Sequence, residues 1–449
     1  MPAKNSNKRK PTGAAPVSIE LFAGCGGLTL GLHNAGWKGM FAVERDPMAA
    51  ETLFNNTLGP DAPYPAFADW PEWLPTQHLD LVALLDDKAM RKRLASLRGS
   101  VTLVAGGPPC QGFSVGGRRD GQDERNYLVY RMLDFIEIVQ PDAVLIENVE
   151  GMGRRFVSKP GQAKASVADD AIARLEGMGY VAAYRVLDAT AFGVPQARKR
   201  IVIFGFRQEN SNITAASLGE LMTAELRTAA AAIKSKYGLP LNRPVTVAEA
   251  IHDLSGDDRV TCPDSPKFEA APYVPAKSHY AKLMRKGARS GTVPDSHRFS
   301  KHGPGIQRLY KLAHKTQPPG RLSKQFLLDN GTKKDKKVLL DPGAPVSTIT
   351  THPDEYIHYL EPRNITVREM ARLQSFPDDF RFFGRYTING PRRRFDVARC
   401  SQVGNAVPPL MAEGVGLALK SILSILRSSA PVSARLEEGR ETRRELSAA

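Results

Sequence analysis

Cys110 stands in the stretch Gly106-Gly-Pro-Pro-Cys-Gln-Gly-Phe-Ser114, directly after the apolar run Val101-Thr-Leu-Val-Ala105. The run predicts a buried strand, and two glycines with two prolines turn the chain sharply at its end. A thiol there could serve as a nucleophile in its ionised form, because ligands of open α/β sheets bind where parallel strands end. A lone cysteine is more often a small buried hydrophobe, so the reading depends on its companions. Glu147 lies near the end of a second apolar run, Ala143-Val-Leu-Ile-Glu-Asn-Val149. A carboxylate in that place is either functional or an uncompensated cost. Arg198 and Arg200 lead into a third run that ends at Phe206. On their own they would also suit a surface hairpin.

These side chains need a scaffold, and the first hundred residues outline one. Ser18 to Phe22 predicts a strand, Ala23 to Gly27 a glycine turn, and Leu28 to Ala35 a helix. Strand, glycine loop and helix form the first unit of a nucleotide-binding α/β fold, with free N–H groups at the helix start. The dinucleotide fingerprint needs a further glycine where Thr29 stands, which argues against NAD. Met40 to Glu44 predicts a second strand ending in a carboxylate that could take ribose hydroxyls; a plain surface acid is the alternative. Asp46 and Pro47 suit the N-cap and first position of a helix. Ala66 to Asp69 reads as the end of a third strand, and 86 to 97 as a charged helix. The hydrophilic stretch 115 to 126, with Arg118 and Arg119, reads as a mobile loop whose arginines could grip phosphate. Helices are expected over 127 to 139 and 166 to 177, and strands over 181 to 187 and 200 to 206. Periodicity fades after about residue 210. A helix over 365 to 374 and a closing apolar helix over 410 to 426 follow.

A chain of 449 residues suits two domains, or one large domain with an insertion. With 42% hydrophobic and 24% charged residues it has the composition of an ordinary globular protein. No apolar run approaches the ~20 residues of a membrane span, and no signal-like stretch opens the chain. Cys25, Cys110, Cys262 and Cys400 form no CxxC pair, so neither a zinc site nor a disulfide framework is indicated, and a reducing cytoplasmic setting is expected. The net charge of +15 is concentrated: Lys277 to Lys337 holds sixteen Lys or Arg against Asp295, Asp329 and Asp335. Tyr280, Phe299, Tyr310, Phe326 and four histidines are interleaved with these cations, a composition expected of a nucleic-acid contact.

Six blocks then occur in order: Phe22-x-Gly24-x-Gly26, Pro109-Cys110, Glu147-Asn148-Val149, Gln196-x-Arg198-x-Arg200, Arg372-Leu-Gln-Ser-Phe-Pro377 and Gln402-x-Gly404-Asn405. Together they resemble the DNA (cytosine-5)-methyltransferase family, over roughly 17 to 207 and 344 to 424. The resemblance implies a doubly wound, mostly parallel α/β sheet of the S-adenosylmethionine-dependent, Rossmann-like type, carrying an inserted, irregular or β-rich recognition domain. The implied segments are a basic leader (1–16), a first catalytic part (17–240), target recognition (241–343), a hinge segment with the Arg372 block (344–395), a return helix (396–427) and a charged tail (428–449). Cys110 would add to carbon 6 of cytosine. Glu147 would serve N3 and the exocyclic amine, and Arg198 and Arg200 would orient the ring. S-adenosylmethionine would lie against Phe22, Gly24, Gly26, Glu44, Asp69, Gly107, Pro109, Leu128 and Asn405. Arg45 stands where many relatives carry an aromatic. Gln111, Ser114, Arg118 and Arg119 would touch DNA from a loop closing over a flipped base. Further implications are a monomer without a metal, double-stranded DNA as substrate, and a companion restriction endonuclease. The alternatives are the tRNA-methylating branch and a catalytically inactive DNA-binding relative; intact Cys110, Glu147 and Arg200 argue against the second.

Overall fold

Six runs pair into one sheet, and the central ones are buried on both faces, as strands of parallel sheets are. The six are β1 (Val17–Leu21), β2 (Lys38–Val43), β3 (Leu103–Gly106), β4 (Ala143–Val149), β5 (Tyr180–Asp188) and β6 (Lys199–Arg207). Their order is β2-β1-β3-β4-β6-β5, with β1 to β4 parallel and β6 antiparallel to both its neighbours. The computed structural model describes residues 15–109, 127–154, 156–159, 162–208, 213–289, 291–332, 336–387 and 396–428. Cys110, Gln111, Ser114, Arg118 and Arg119 therefore lie outside the described residues, as do most of the expected leader and tail.

Helices cover both faces. The first seven are α1 (Gly27–Asn34), α2 (Pro47–Thr57), α3 (Leu81–Asp86), α4 (Lys88–Ala95), α5 (Tyr127–Val139), α6 (Val167–Gly177) and α7 (Ala215–Lys236). Strand residues alternate between two cores. Leu103, Ala105, Leu145 and Phe204 join α1 and α7, whereas Val104, Val144, Ile146 and Ile203 join α3, α5 and α6. Asp46 caps α2 as expected, accepting from Ala49 N at 2.8 Å, with Pro47 at the first position. Two expectations differ. Ala66 to Asp69 forms no strand; one bridge joins Leu58 to Phe67. The fading of pattern after 210 hides α7, a 22-residue helix. Its alanines favour helix by propensity, and Leu218, Leu221, Met222, Leu226 and Ile233 make a buried stripe that small residues dilute.

The remaining helices are α8 (Val247–Ile251), α9 (His279–Met284), α10 (Pro304–Thr316), α11 (Lys324–Asp329), α12 (Val367–Leu373), α13 (Arg399–Asn405) and α14 (Pro409–Arg427). Within 241–343 the strands are two-residue pairs, so this segment is irregular and carried by short helices rather than β-rich. Val247, Ile251, Tyr280 and Met284 join the core of α7 and α14. A separate small core is formed by Leu309, Tyr310, Ala313, Leu322, Leu327, Leu339 and Ile357. Tyr280, Phe299 and Tyr310 are buried and Phe326 is half-buried, so the aromatics expected at a nucleic-acid surface are framework instead. Lys337 is buried too, donating to Tyr310 Oη at 2.8 Å. His297 bonds Thr366 Oγ1 and Leu254 O, both at 2.9 Å, and burial lowers its pKa to about 4.

The return segment closes the first domain. α14 crosses α1 so tightly that a Cβ on Gly31 would sit 2.3 Å from Ala412 Cβ, and Trp37 Nε1 donates to Gly416 O at 3.0 Å. Arg399–Arg427 is apolar and long enough to cross a membrane, yet most of it is buried in this core. Arg372 of α12 is fully buried, with Nε 2.6 Å from Asp378 Oδ1 and Nη1 3.0 Å from Asp253 Oδ1, which ties the return segment to the insertion.

Candidate active site

β4 and β6 lie side by side with Glu147 opposite Val202 and Val149 opposite Arg200. Glu147 and Arg200 are thus diagonal neighbours across an antiparallel pair. Arg200 Nε stands 3.0 Å from Glu147 Oε1, and each side chain is only 11% exposed. Burial pulls the Arg200 pKa below its ordinary value, and Glu147 opposes the shift. Arg198 points elsewhere. It is 2% exposed, its Nη1 donates to Ile349 O at 3.4 Å, and its Nε has no hydrogen-bond partner among the described residues. Burial, and then the charge of Arg200, push its pKa well down. Of the two arginines, Arg200 is the one in contact with the carboxylate, whereas Arg198 is bonded to Ile349 O.

The turn after β3 meets the same carboxylate. A Cβ on Gly107 would lie 3.1 Å from Glu147 Oε2, and Asn148 Nδ2 donates to Pro108 O at 2.9 Å. Glu147 and Asn148 therefore brace the turn whose next residues are the exposed Pro109 and then Cys110. Leu128, half-buried, is the second residue of α5.

On the other side of β3, the chain leaves β1 through Phe22 at φ 55°, Gly24 at 58° and Gly26 at 99°. A positive φ on a phenylalanine is a strained conformation of the kind that clusters at functional sites. Glu44, just past β2, accepts from Gly24 N at 2.8 Å and from Asp46 N at 2.7 Å. Burial raises its pKa, and these backbone donors oppose that rise. A Cβ on Gly24 would meet nothing within 4 Å, whereas one on Gly26 would come within 2.8 Å of Leu53. Gly24 therefore borders open space at the strand ends, with a carboxylate beside it, and this cradle fits a ribose-bearing ligand. Thr29 is engaged elsewhere, since its hydroxyl donates at 2.8 Å to Glu20, a buried carboxyl whose pKa burial raises to about 7. Over this loop lies the return segment. Val407 O would sit 2.3 Å from a Cβ on Gly27, Thr52 donates to Gln402 Oε1 at 2.7 Å, and Asn405 is exposed at the end of α13.

Asp69 is not brought to this cradle. It pairs with Lys38 Nζ at 2.6 Å, at the opposite end of β2 from Glu44. Six residues of strand, about 20 Å at ~3.3 Å each, separate the two ends. The chain runs alongside β2 from Ala66, bonded to Gly39, as far as Leu79, whose N donates to Glu44 O at 2.7 Å. Asp80 is the acid delivered beside Glu44. It caps α3, accepting from Val82 N at 2.7 Å, and its Oδ2 lies 3.8 Å from Arg45 Nη1. The signal was present in Asp80-Leu-Val-Ala-Leu-Leu85, an N-cap type before an apolar run.

Two amides were also missed as individual residues. Gln196 Nε2 donates to Gln374 Oε1 at 2.8 Å, Gln196 Oε1 accepts from Ile349 N at 2.8 Å, and Gln374 Nε2 donates to Val403 O at 2.7 Å. This buried relay joins the strand of Arg200 to the segment covering the glycine loop.

A mostly parallel sheet with a braced glycine loop on one side of β3 and a carboxylate–guanidinium pair on the other makes this a Rossmann-like α/β protein with candidate site residues at the strand ends. The comparisons with known proteins narrow this. The profile of C-5 cytosine-specific DNA methylases matches residues 17–421. The type II methyltransferase M.AgeI of Thalassovita gelatinovora is 29% identical over 91% of this chain and 100% of its own. M.XorII of Xanthomonas oryzae pv. oryzae is 30% identical over 89% of this chain and 84% of its own. Among solved structures, a protein assigned as a DNA modification methyltransferase from an E. coli prophage superposes with a TM-score of 0.58 at 23% identity, covering 91% of this chain and all of that one, a likeness of fold. The chain belongs to the C-5 cytosine-specific DNA methylase family and is a DNA (cytosine-5)-methyltransferase.

Proposed function

We propose that this enzyme moves the methyl group of S-adenosylmethionine to carbon 5 of a cytosine within a specific duplex sequence, as the modification partner of a restriction endonuclease. The observation that carries the reading is the Glu147–Arg200 pair set against the Gly107 turn. Carbon 5 is a weak nucleophile until a thiolate adds to carbon 6. Cys110, four residues past Gly106, is the candidate for that addition. Charge entering the ring has to be taken up at N3, and Glu147 is the candidate for that. Arg200 orients the ring while holding Glu147, and Arg198 lies close by on the same run of chain. When bound, S-adenosylmethionine supplies an electrophilic methyl carbon. Phe22, Gly24, Gly26, Glu44, Gly107, Pro109, Leu128 and Asn405 stay in its candidate site, and Asp80 replaces Asp69. After transfer the carbon 5 proton leaves to solvent, the thiolate is expelled, and the base returns to the duplex from which it was flipped. Gln111, Ser114, Arg118 and Arg119 keep their proposed places at the DNA. The names of M.AgeI and M.XorII, both type II methyltransferases, support the restriction–modification role.

The test is tritium transfer from labelled S-adenosylmethionine to duplex DNA and to tRNA. Label is expected in duplex DNA alone and absent with Cys110→Ala, while cofactor binding to that variant stays near wild type. Label only in tRNA, or full activity of the variant, overturns the reading. Resistance of host DNA to digestion, followed by methylation mapping, tests the modification role.

A further inference from the structure

Most cations of the segment 277–337 are exposed, but one helix arranges them in a way that solubility does not require. α10 (Pro304–Thr316) buries Leu309, Tyr310 and Ala313 in the small separate core. At about 100° per residue, Arg308, Lys311 and Lys315 fall within about 60° of one another on the face directly opposite. All three are exposed, and no described acid pairs with them. The helix contains no Asp or Glu at all. An ordinary solvated helix face interleaves both signs, because acid–base pairs three or four residues apart stabilise it. Lys315 gains from the helix C-terminus, but Arg308 and Lys311 have no such reason. Tyr310, on the buried side, is held by Lys337 and by Asn364 Oδ1, which keeps the exposed face fixed in orientation.

We infer that the Arg308–Lys311–Lys315 face of α10 lies along one strand of the duplex and holds its phosphates, without reading bases. The inference rests on the proposal that duplex DNA is the substrate. From Arg308 to Lys315 the helix rises about 10 Å, long enough for the three cations to reach successive phosphates of one strand.

The experiment measures affinity by fluorescence anisotropy for a methylatable duplex and an unrelated one, across about 50 to 200 mM salt, for the wild type and for R308Q/K311Q/K315Q. Each phosphate contact contributes about 0.9 to the slope of log K against log salt, so the slope is expected to fall by about 2.7. Both duplexes should weaken by the same factor, with melting temperature and S-adenosylmethionine binding unchanged. A control, K88Q/K92Q/R93Q on the equally exposed basic helix α4, removes the same charge and should change the slope far less. An unchanged slope, an equal effect of the control, or a loss confined to the methylatable duplex each overturns the inference. Failure of the wild type to methylate duplex DNA would instead overturn the substrate assignment, and it is read independently.

Discussion

Replacing Glu147 with glutamine separates chemistry from architecture at the site. Glutamine has the same shape and keeps an oxygen for Arg200 Nε, now 3.0 Å away. Because Arg200 remains a guanidinium, its hydrogen bond to the glutamine oxygen stays charge-assisted. The loss to the fold is the ion-pair attraction, below the about 3–5 kcal/mol of removing one partner of a buried pair outright, since the bond itself is kept. That is worth a few degrees of melting temperature in a protein of this size. The loss to the chemistry is larger. A positioned acid or base contributes about 10²–10⁴-fold to the rate, or about 3–5 kcal/mol of barrier. The assay is single-turnover methyl transfer to duplex DNA, with thermal melting and S-adenosylmethionine binding measured on the same preparation. The expected result is a rate reduced by at least about 100-fold, a small melting shift and an unchanged cofactor Kd, since Glu147 is not part of the glycine cradle. A rate within a few-fold of wild type refutes the role of Glu147. A melting shift large enough to account for the lost activity refutes the separation of the two effects.

Other outcomes follow from the packing and the buried charges. Gly31→Ala would force a methyl to within 2.3 Å of Ala412 Cβ and 2.6 Å of Glu413 N, so α14 has to shift; overpacking of this kind costs about 1–3 kcal/mol, and an unaltered melting temperature would contradict the closure of the domain by α14. Glu20 has a folded pKa of about 7 against an ordinary 4.5. Both states are protonated below 4.5, so there the group adds no pH dependence; between 4.5 and 7 the unfolded state ionises while the folded one does not, and stability falls. Above pH 7 the penalty is complete at roughly 3 kcal/mol, from ~1.4 kcal/mol per pKa unit. Relative to wild type, Glu20→Gln should therefore gain about that much between roughly pH 4.5 and pH 8 in urea denaturation, and a pH-independent difference would refute the assignment.

The difference between what was legible in the chain and what was not follows the range of the interactions. β4 and its Glu147 could be read because burial on both faces turns a central strand into an unbroken apolar run, and one carboxylate in such a run stands out. The cap of α2 could be read because Asp46 and the N–H it accepts are three residues apart. The choice between Asp69 and Asp80 could not be made by the same means. The run after Asp80 marks it as a helix cap, but what brings it beside Glu44 is the course of 66 to 79 along β2, set by bonds to Gly39 and Glu44 that no local pattern announces. The aromatics between the cations misled for a similar reason: Tyr310 and Phe299 have the composition of a nucleic-acid surface, and only the core formed with Leu339 and Ile357, or the ring contact with His297, places them inside. The amide relay is the extreme case, since Gln196 and Gln374 are separated by 178 residues. Glutamine is suited to that position because its side chain both donates and accepts, so a single buried residue can hold two neighbours at once. Through it the chain entering the Arg200 strand is bonded to Gln374, and Gln374 in turn to Val403 in the cover of the glycine loop.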